Sequence, residues 1–331
     1  MATLKDIAQR AGVTATTVSR VINNRGYISE GTRKKVYAAM EEMHYQPNEL
    51  ARAFSKQYTN TIGLIVPHIS HPFFTKVISN IESSAAEKGF KLLLCNSKEQ
   101  PEKEQDYLDM CISNRVAGIV LCSKYVQTRE FRKMNIPVVN LERGGDDDTI
   151  SVQCDNYQGG KLAAEHLIEC GCKNLLHFGG VAGKDMPADR RADGFSDVCK
   201  KAGIPYRILV SDRLQYGSMH YEDFIRRALQ EFPDVDGIFA SSDLIASQVI
   251  QVGAQMGKRV PEDIQLIGFD DVMISTVTTP QITTIHQPVE EMTELCVEYI
   301  AKSLKNESVP QKIVLPVRLV QRGTTVLKTE I

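Results

Sequence analysis

Charged and aromatic side chains that could bind a small molecule stand just beyond apolar segments in the larger, C-terminal part of the chain. Carboxylates and guanidinium groups can each hold adjacent hydroxyl groups through paired hydrogen bonds, and aromatic rings can stack on a sugar ring or a base. These residue types predict a binding site for a small polar ligand. The candidate residues are His71, Phe73, Phe74, Asp185, Arg191, Asp243 and Asp270.

Some of these residues, and other polar residues near them in the sequence, also have a purely structural interpretation. Asp243 could instead cap the helix that follows it, and one of the two phenylalanines is expected in the core. Asp155 and Asn156 are expected to begin a helix rather than to contact the ligand. His68 and His71 are three residues apart, but no third metal ligand is evident, so we predict no metal site.

A second group of candidate residues lies near the N-terminus and could contact DNA. Arginine can form two hydrogen bonds to O6 and N7 of guanine, and threonine can offer a hydroxyl group to a base or a methyl group to thymine. Residues 1–56 carry a net charge of +4, whereas the remainder carries −6. This asymmetry is expected when only the basic segment meets phosphate groups.

The elements that carry these residues predict a helix-turn-helix. Gly12 accepts the left-handed backbone that ends a helix in a tight turn, and Ala8 is small enough to let a second helix approach the first. Thr14 and Ser29 are good N-caps for the helices that follow them. The three predicted helices span residues 4–11, 16–23 and about 30–44.

A short hinge follows the predicted headpiece. Pro47 would interrupt regular structure, and Asn48 would then cap a new helix over Leu50–Phe54. A helix of about two turns is too short to be stable alone in water. We therefore expect this segment to fold only against a partner, and DNA is one such partner.

These motifs resemble the lac/galactose/purine repressor family of bacterial transcriptional regulators. The resemblance is carried by Thr3–Ala8, Thr17–Asn23, Tyr45–Asn48 and the pair Ala51 and Arg52, and it extends over essentially the whole chain. It implies that the second helix lies in the major groove and that the hinge helices of two subunits enter the minor groove at the operator centre.

Residue by residue, the resemblance implies that Ala15, Thr16 and Arg20 face bases, although Arg20 could instead contact phosphate only. Phe54 stands where the family usually inserts a leucine between base pairs, and Ser55 where a lysine is common. Phenylalanine is an accepted intercalating wedge, but it could instead pack on its dimer mate. The full DNA-binding set is Thr3, Ala15, Thr16, Thr17, Ser19, Arg20, Asn23, Tyr45, Asn48, Ala51, Arg52, Phe54 and Ser55, of which Thr17, Ser19 and Asn23 are expected at phosphate or structural positions.

From Thr61 onward, near-continuous apolar strands alternate with helices, and the pattern restarts near Gly160. Such strands indicate parallel sheets that are covered on both faces. The predicted strands include residues 137–141 and 237–240, and a late strand over residues 313–320 is expected to return to the first half. We predict an α/β fold with a helix-turn-helix headpiece and hinge helix, followed by a periplasmic-binding-protein-like body of two doubly wound parallel-sheet subdomains. The predicted domains are a headpiece at 1–47, a hinge at 48–59, and a body at 60–331 whose N-subdomain is about 60–160 and 290–320 and whose C-subdomain is about 161–289 and 321–331.

Two doubly wound halves are expected to hold a ligand at the carboxyl ends of their strands. The resemblance implies that Phe73 or Phe74, Arg191, Asp243 and Asp270 contact a small-molecule effector. Asp185 stands where purine-sensing relatives place a cation, which favours a neutral mono- or disaccharide over an oxopurine. We expect a homodimeric repressor on a palindromic double-stranded DNA operator, with no other cofactor. The alternatives are a purine corepressor, a phosphorylated carrier protein as corepressor, and an activator.

Other functional classes fit the sequence less well. No G-x-G-x-x-G motif follows the first strand, and the phosphate-loop fragment at residues 178–185 fails at both ends, so we do not expect an enzyme. A secreted sugar-binding protein would need a signal sequence in place of the basic headpiece. The eight scattered cysteines form no C-x-x-C pair, and no apolar run is long enough to cross a membrane. We expect a cytoplasmic protein with buried thiols.

Overall fold

The computed structural model describes residues 2–23, 25–45, 58–123, 125, 136–143, 149–181 and 186–327. The chain forms two compact units, Met1–Thr59 and Asn60–Ile331. The headpiece helices lie in the first unit, and every strand that the described residues form lies in the second, which we call the body.

The headpiece contains the predicted helices α1 (Leu4–Ala11), α2 (Ala15–Ile22) and α3 (Glu30–Glu42). Gly12 ends α1 with a φ of 67°, the left-handed backbone that glycine adopts without steric cost. Thr14 and Ser29 cap α2 and α3, each through its side-chain oxygen. The prediction of this helix-turn-helix is confirmed, and the buried side chains that hold it together are Ile7, Ala8, Val18, Val21, Val36 and Ala39.

The first sheet of the body has six parallel strands in the order β11-β5-β4-β3-β1-β2. This sheet, with the helices α4 and α5 and the late helix α12, forms the first lobe. Its elements are β1 (Thr61–Val66), α4 (Pro72–Glu87), β2 (Lys91–Asn96), α5 (Pro101–Ser113), β3 (Gly118–Leu121), β4 (Val138–Leu141), β5 (Ile150–Cys154), α12 (Val289–Ser303) and β11 (Lys312–Leu315).

The second sheet has the order β12-β10-β9-β8-β6-β7, with only β12 antiparallel to its neighbour. Together with its helices it forms the second lobe. The elements are α6 (Asn156–Glu169), β6 (Leu175–Val181), a short 3-10 turn (Pro187–Asp189), α7 (Arg190–Ala202), β7 (Tyr206–Ser211), α8 (Arg213–Ser218), α9 (Glu222–Glu231), β8 (Gly237–Ala240), α10 (Asp243–Gln255), β9 (Gln265–Asp270), α11 (Ile274–Val277), β10 (Thr283–His286) and β12 (Arg318–Val320). The predicted pair of doubly wound sheets is confirmed.

One predicted strand is wrong. The sequence indicated a single strand over residues 313–320 that returns to the first half, but the structure divides this stretch into β11 of the first sheet and β12 of the second. Pro316 separates them, and proline has no N–H group with which to continue a sheet ladder. The chain therefore passes between the lobes after β5, after β10 and after β11.

Two glycines bring α6 and α7 of the second lobe into backbone contact. A Cβ atom added at Gly160 would overlap the carbonyl oxygen of Arg191, and one added at Gly194 would overlap that of Tyr157. Only residues without side chains allow so close an approach. The packing fixes the start of α7, where Arg191 lies.

Within the described residues, every helix is too short or too polar to cross a lipid bilayer.

Candidate functional site

A cavity of about 140 Å³ lies between the two lobes of the body. Its walls come from the segments that follow β1, β4, β6, β7, β8 and β9, at the carboxyl ends of the strands. Open α/β sheets place ligands at this edge. Of the predicted ligand residues, the structure brings His71, Phe73, Phe74, Arg191 and Asp270 to this cavity.

Arg191 is held rigidly, although it lies at the cavity wall. Its Nε group donates to Oδ1 of Asn156 at 2.7 Å, and Nη1 donates to the carbonyl oxygen of Ser241 at 2.6 Å. The guanidinium carbon lies 3.5 Å from the centre of the Phe269 ring. Stacking on an aromatic face and two fixed hydrogen bonds pre-orient the remaining N–H groups toward a ligand.

Asp270 ends β9 in a backbone conformation that is unusual for a residue with a side chain. Its φ is 113°, and Gln287 donates to its carboxylate at 2.6 Å. Burial raises the pKa of Asp270 well above its usual range, and the nearby positive charge of Arg191 opposes that increase. Strained backbone and perturbed carboxylates occur together at ligand sites, where surrounding contacts maintain them.

The aromatic wall consists of His71, Phe73 and Phe74, which are 8%, 7% and 8% exposed. His71 caps α4, because its Nδ1 atom accepts from the backbone N–H of Phe73 at 3.3 Å. The two phenylalanine rings pack edge to face, with centroids 5.2 Å apart. Burial lowers the pKa of His71 to about 4, so this wall is uncharged near neutral pH.

The sequence analysis missed most of the other cavity residues, and three of them show why. Glu142 follows β4, Tyr216 lies on α8, and Ser241 follows β8. The ring of Tyr216 packs edge-on against His68 of the first lobe, 5.5 Å between centroids. Ser241 was open to prediction, because it directly follows the predicted strand that ends at Ala240. Glu142 carried the same signal, because it directly follows the predicted strand that ends at Leu141. Tyr216 gave no such signal, because it lies on the short helix α8 rather than next to a strand end.

The structure does not bring Asp243 to the cavity. Its side chain is fully buried beneath the second sheet, where it accepts hydrogen bonds from Oγ1 of Thr284 at 2.6 Å and from the backbone N–H of Val272 at 2.9 Å. Ser242 is the N-cap of α10, so Asp243 occupies the first helical position and points back into the sheet. Asp185 lies outside the described residues.

The predicted base-facing residues share one surface of α2. Ala15, Thr16 and Arg20 are exposed, whereas Val18 and Val21 point into the headpiece core. An exposed arginine on the second helix of a helix-turn-helix is placed to reach a base edge.

The other predicted DNA-contact residues of the headpiece have structural partners. Thr3 caps α1 through Asp6, and the hydroxyl group of Thr17 lies 2.9 Å from that of Thr14, the N-cap of α2. Nδ2 of Asn23 donates to the carbonyl oxygen of Ser19 at 2.9 Å.

Tyr45 packs against the headpiece core. The hinge residues Asn48, Ala51, Arg52, Phe54 and Ser55 lie outside the described residues.

Comparison with known proteins follows this division of the chain. Residues 3–48 match the bacterial regulatory proteins of the lacI family, and residues 164–325 match the periplasmic binding protein-like domain. The ribose operon repressor of Halalkalibacterium halodurans is 33% identical over 326 residues, which cover 98% of this chain and 97% of that protein. The chain belongs to the lacI family of bacterial regulatory proteins. The predicted resemblance is thereby confirmed, as is the prediction of a regulator rather than an enzyme.

Two solved structures of the lacI family extend the comparison. The Lac repressor dimer bound to operator and the anti-inducer ONPF superposes with a TM-score of 0.83 at 25% identity, covering 98% of this chain and 99% of that one. A lacI-family transcriptional regulator from Enterococcus faecalis with bound ribose gives a TM-score of 0.71 at 28% identity, covering 81% and 100%.

Proposed function

We propose that this protein is a sequence-specific DNA-binding repressor that binds a palindromic operator as a homodimer and is controlled by a small carbohydrate in the cavity of its body. The single observation that carries the ligand part is the guanidinium of Arg191, which fixed hydrogen bonds hold in the same cavity as the aromatic wall. The family and its operon repressors support the DNA part. A protein with this task works in the cytoplasm, where the chromosome is.

The chemistry of the cavity supports a polyhydroxylated, neutral ligand. The N–H groups of Arg191 and the carboxyl group of Asp270 can each hold sugar hydroxyls, while the rings of Phe73 and Phe74 cover the apolar face of a sugar ring. The volume suits a small molecule. Ribose operon repressors among the relatives point to a pentose as the first sugar to test.

The headpiece and the hinge are the parts of the chain that contact DNA in this proposal. We assign residues 1–47 to the headpiece and 48–59 to the hinge, with Arg20 of α2 reading a base. Asn48, Ala51, Arg52, Phe54 and Ser55 remain the proposed minor-groove residues of the hinge. A ligand changes the affinity for DNA only if it binds the two dimer states with different affinity.

Exposed apolar side chains of the body support a homodimer. Leu94 lies on β2 and Val210 on β7, the edge strands of the two sheets, and they are 42% and 48% exposed. Ile69 and Leu214 are further exposed apolar side chains; they are 45% and 83% exposed. We expect Leu214→Glu to shift the protein from dimer to monomer in sedimentation equilibrium. Met273, which is 78% exposed, is the matched control when changed to Glu and should leave the dimer intact.

The ligand assignment is tested by thermal shift on the full chain with D-ribose and with hypoxanthine. We expect stabilisation by the sugar in the wild type and its loss in Arg191→Lys, which keeps the charge but removes the planar fork. Arg190→Lys is the matched control, because the neighbouring arginine side chain is 64% exposed. Tight hypoxanthine binding with no response to sugars would contradict a carbohydrate effector.

The DNA assignment is tested by selecting duplexes from a random pool and measuring affinity by fluorescence anisotropy at physiological salt. A preference for a palindrome, altered by the sugar, is expected. A DNA response that requires a phosphorylated carrier protein and ignores sugars would favour that corepressor instead. No preference for any palindrome over random duplex would contradict the proposed function.

A further inference from the structure

Asn156 stands where the chain first passes from one lobe to the other. β5 of the first lobe ends at Cys154, and α6 of the second lobe begins at Asn156. Nδ2 of Asn156 donates to Oε2 of Glu142 at 2.9 Å, and its Oδ1 atom accepts from Nε of Arg191 at 2.7 Å. One amide therefore joins a carboxylate of the first lobe to a guanidinium of the second.

This series of hydrogen bonds is buried and has a fixed direction. Glu142, Asn156 and Arg191 are 9%, 4% and 6% exposed. An amide donates at one end and accepts at the other, which is what a carboxylate and a guanidinium require of the group between them. Asn156→Asp would set two carboxylates against each other, and Asn156→Ala would deprive both charged groups of this partner.

Helix capping does not explain the position of Asn156. The side chain of Asp155 already caps α6, because it accepts from the backbone N–H of Gln158 at 2.9 Å. The amide of Asn156 is directed elsewhere, and its remaining hydrogen bond runs to the carbonyl oxygen of Cys154 at 3.2 Å. Its partners are thus the end of the first sheet and the start of α7.

Both charged partners line the ligand cavity, whereas Asn156 does not. A ligand that moves Glu142 or Arg191 therefore acts on the opposite lobe through the amide. A buried network with all its members hydrogen-bonded holds one arrangement firmly, and loses it when one member changes polarity.

We propose that Asn156 is a positioning residue that couples occupancy of the cavity to the angle between the two lobes. It aims the guanidinium of Arg191 at the ligand and ties it to Glu142 across the first passage between lobes. This inference rests on the proposed function for its biological meaning, but the coupling itself can be measured without DNA or ligand.

The test exchanges the polarity of the network. Asn156→Asp opposes Glu142, and the double variant Glu142→Gln/Asn156→Asp restores complementarity between positions 142 and 156, because the new amide donates to the new carboxylate, which still accepts from Arg191. Both variants lose the hydrogen bond to the carbonyl oxygen of Cys154. The distance between lobes is followed by single-molecule energy transfer with dyes on the exposed sites Asp106→Cys of α5 and Gln230→Cys of α9. The native cysteines are buried, and labelled chains are diluted with unlabelled ones.

We expect a broader distribution of lobe distances in Asn156→Asp and a return to the wild-type width in the double variant. Gln248→Glu is the matched control, because Gln248 is a buried amide whose two hydrogen bonds, to Tyr221 and Met219, stay within the second lobe. It should lower the melting temperature without broadening the distribution. If Asn156→Asp does not fold, the double variant must recover both folding and width.

Three results would overturn the coupling: an unchanged distribution in Asn156→Asp, no recovery in the double variant, or equal broadening in Gln248→Glu. D-ribose gives a further readout, with affinity expected to fall about 10- to 100-fold in Asn156→Asp, as for loss of a hydrogen bond to a charged group. If the wild type binds no ribose, the sugar assignment fails, while the distance measurement still decides the role of Asn156.

Discussion

Replacing the buried carboxylate of Asp243 by an amide should stabilise the body more at alkaline than at acidic pH. Burial raises the pKa of Asp243 from 3.8 to about 7, although Thr284 and Val272 donate hydrogen bonds to it. Because the pKa of Asp243 is higher in the folded than in the unfolded state, the folded state binds the proton more tightly. The stability that this proton contributes is fully present below the pKa of the unfolded state. That contribution is lost as the pH rises toward the folded pKa. The side-chain amide of the variant Asp243→Asn does not ionise, so the variant escapes this loss.

The magnitude follows from the size of the shift. Each pKa unit corresponds to about 1.4 kcal/mol, so the benefit of Asp243→Asn should be about 3 kcal/mol larger near pH 8.5 than near pH 5. The amide can still accept from Val272 and can donate to the hydroxyl group of Thr284, so both hydrogen bonds survive.

Urea unfolding of the full chain at the two pH values, followed through the transition of the body, measures this difference. Asp234→Asn, at an exposed carboxylate, is the control and should show little dependence on pH. A stability difference for Asp243→Asn that is equal at both pH values would refute the reasoning. So would a loss of sugar binding, because the cavity does not include Asp243.

Three further predictions concern single residues. Arg20→Ala should cost about 1–3 kcal/mol in operator binding and relax the preference for one base, whereas an equal loss on all DNA sequences would assign Arg20 to phosphate. Gly160→Ala should destabilise the body by about 1–3 kcal/mol in urea unfolding through overlap with the backbone of Arg191, while Gly217→Ala, at an open helical position, should not. Thr14→Ala should destabilise the headpiece by about 1 kcal/mol in hydrogen exchange, with Thr14→Ser retaining the cap; equal protection in both variants would contradict the capping role.

The headpiece was predictable because its signals are local. Gly12 needs a left-handed backbone, and Thr14 and Ser29 cap helices through contacts within three residues. The helix bounds differ from expectation by at most two residues: α2 begins and ends one residue early, and α3 ends two residues early. His44, the last residue of the predicted helix, has a φ of 47°, which no helix interior accommodates.

The strands of the body were harder to predict from the sequence where they contain polar residues. β5 and β10 contain Gln153, Thr284 and His286, so neither shows the apolar run by which the other strands were recognised. Their position between hydrophobic neighbours, not their own sequence, makes them strands.

The ligand site was predictable only in part, for a similar reason. Asp270 was found because it lies where a predicted strand ends, whereas Arg191, on α7, was implied by the family resemblance. The orientation of Asp243 depends on the hydroxyl group of Thr284 in a strand that lies far along the sequence. Asn156 was interpreted as the start of a helix, which it is, but its partners Glu142 and Arg191 come together only in the folded body.

One short stretch of chain, residues 312–320, supplies the last strand of the sheet in each lobe. β11 closes the outer edge of one sheet against β5, and β12 closes that of the other against β10. On the ribosome, neither lobe can complete its sheet until this late stretch has emerged, so the two must mature together rather than in succession. A premature stop before Lys312 would uncover an edge on each sheet at once and leave two open templates for pairing with other chains.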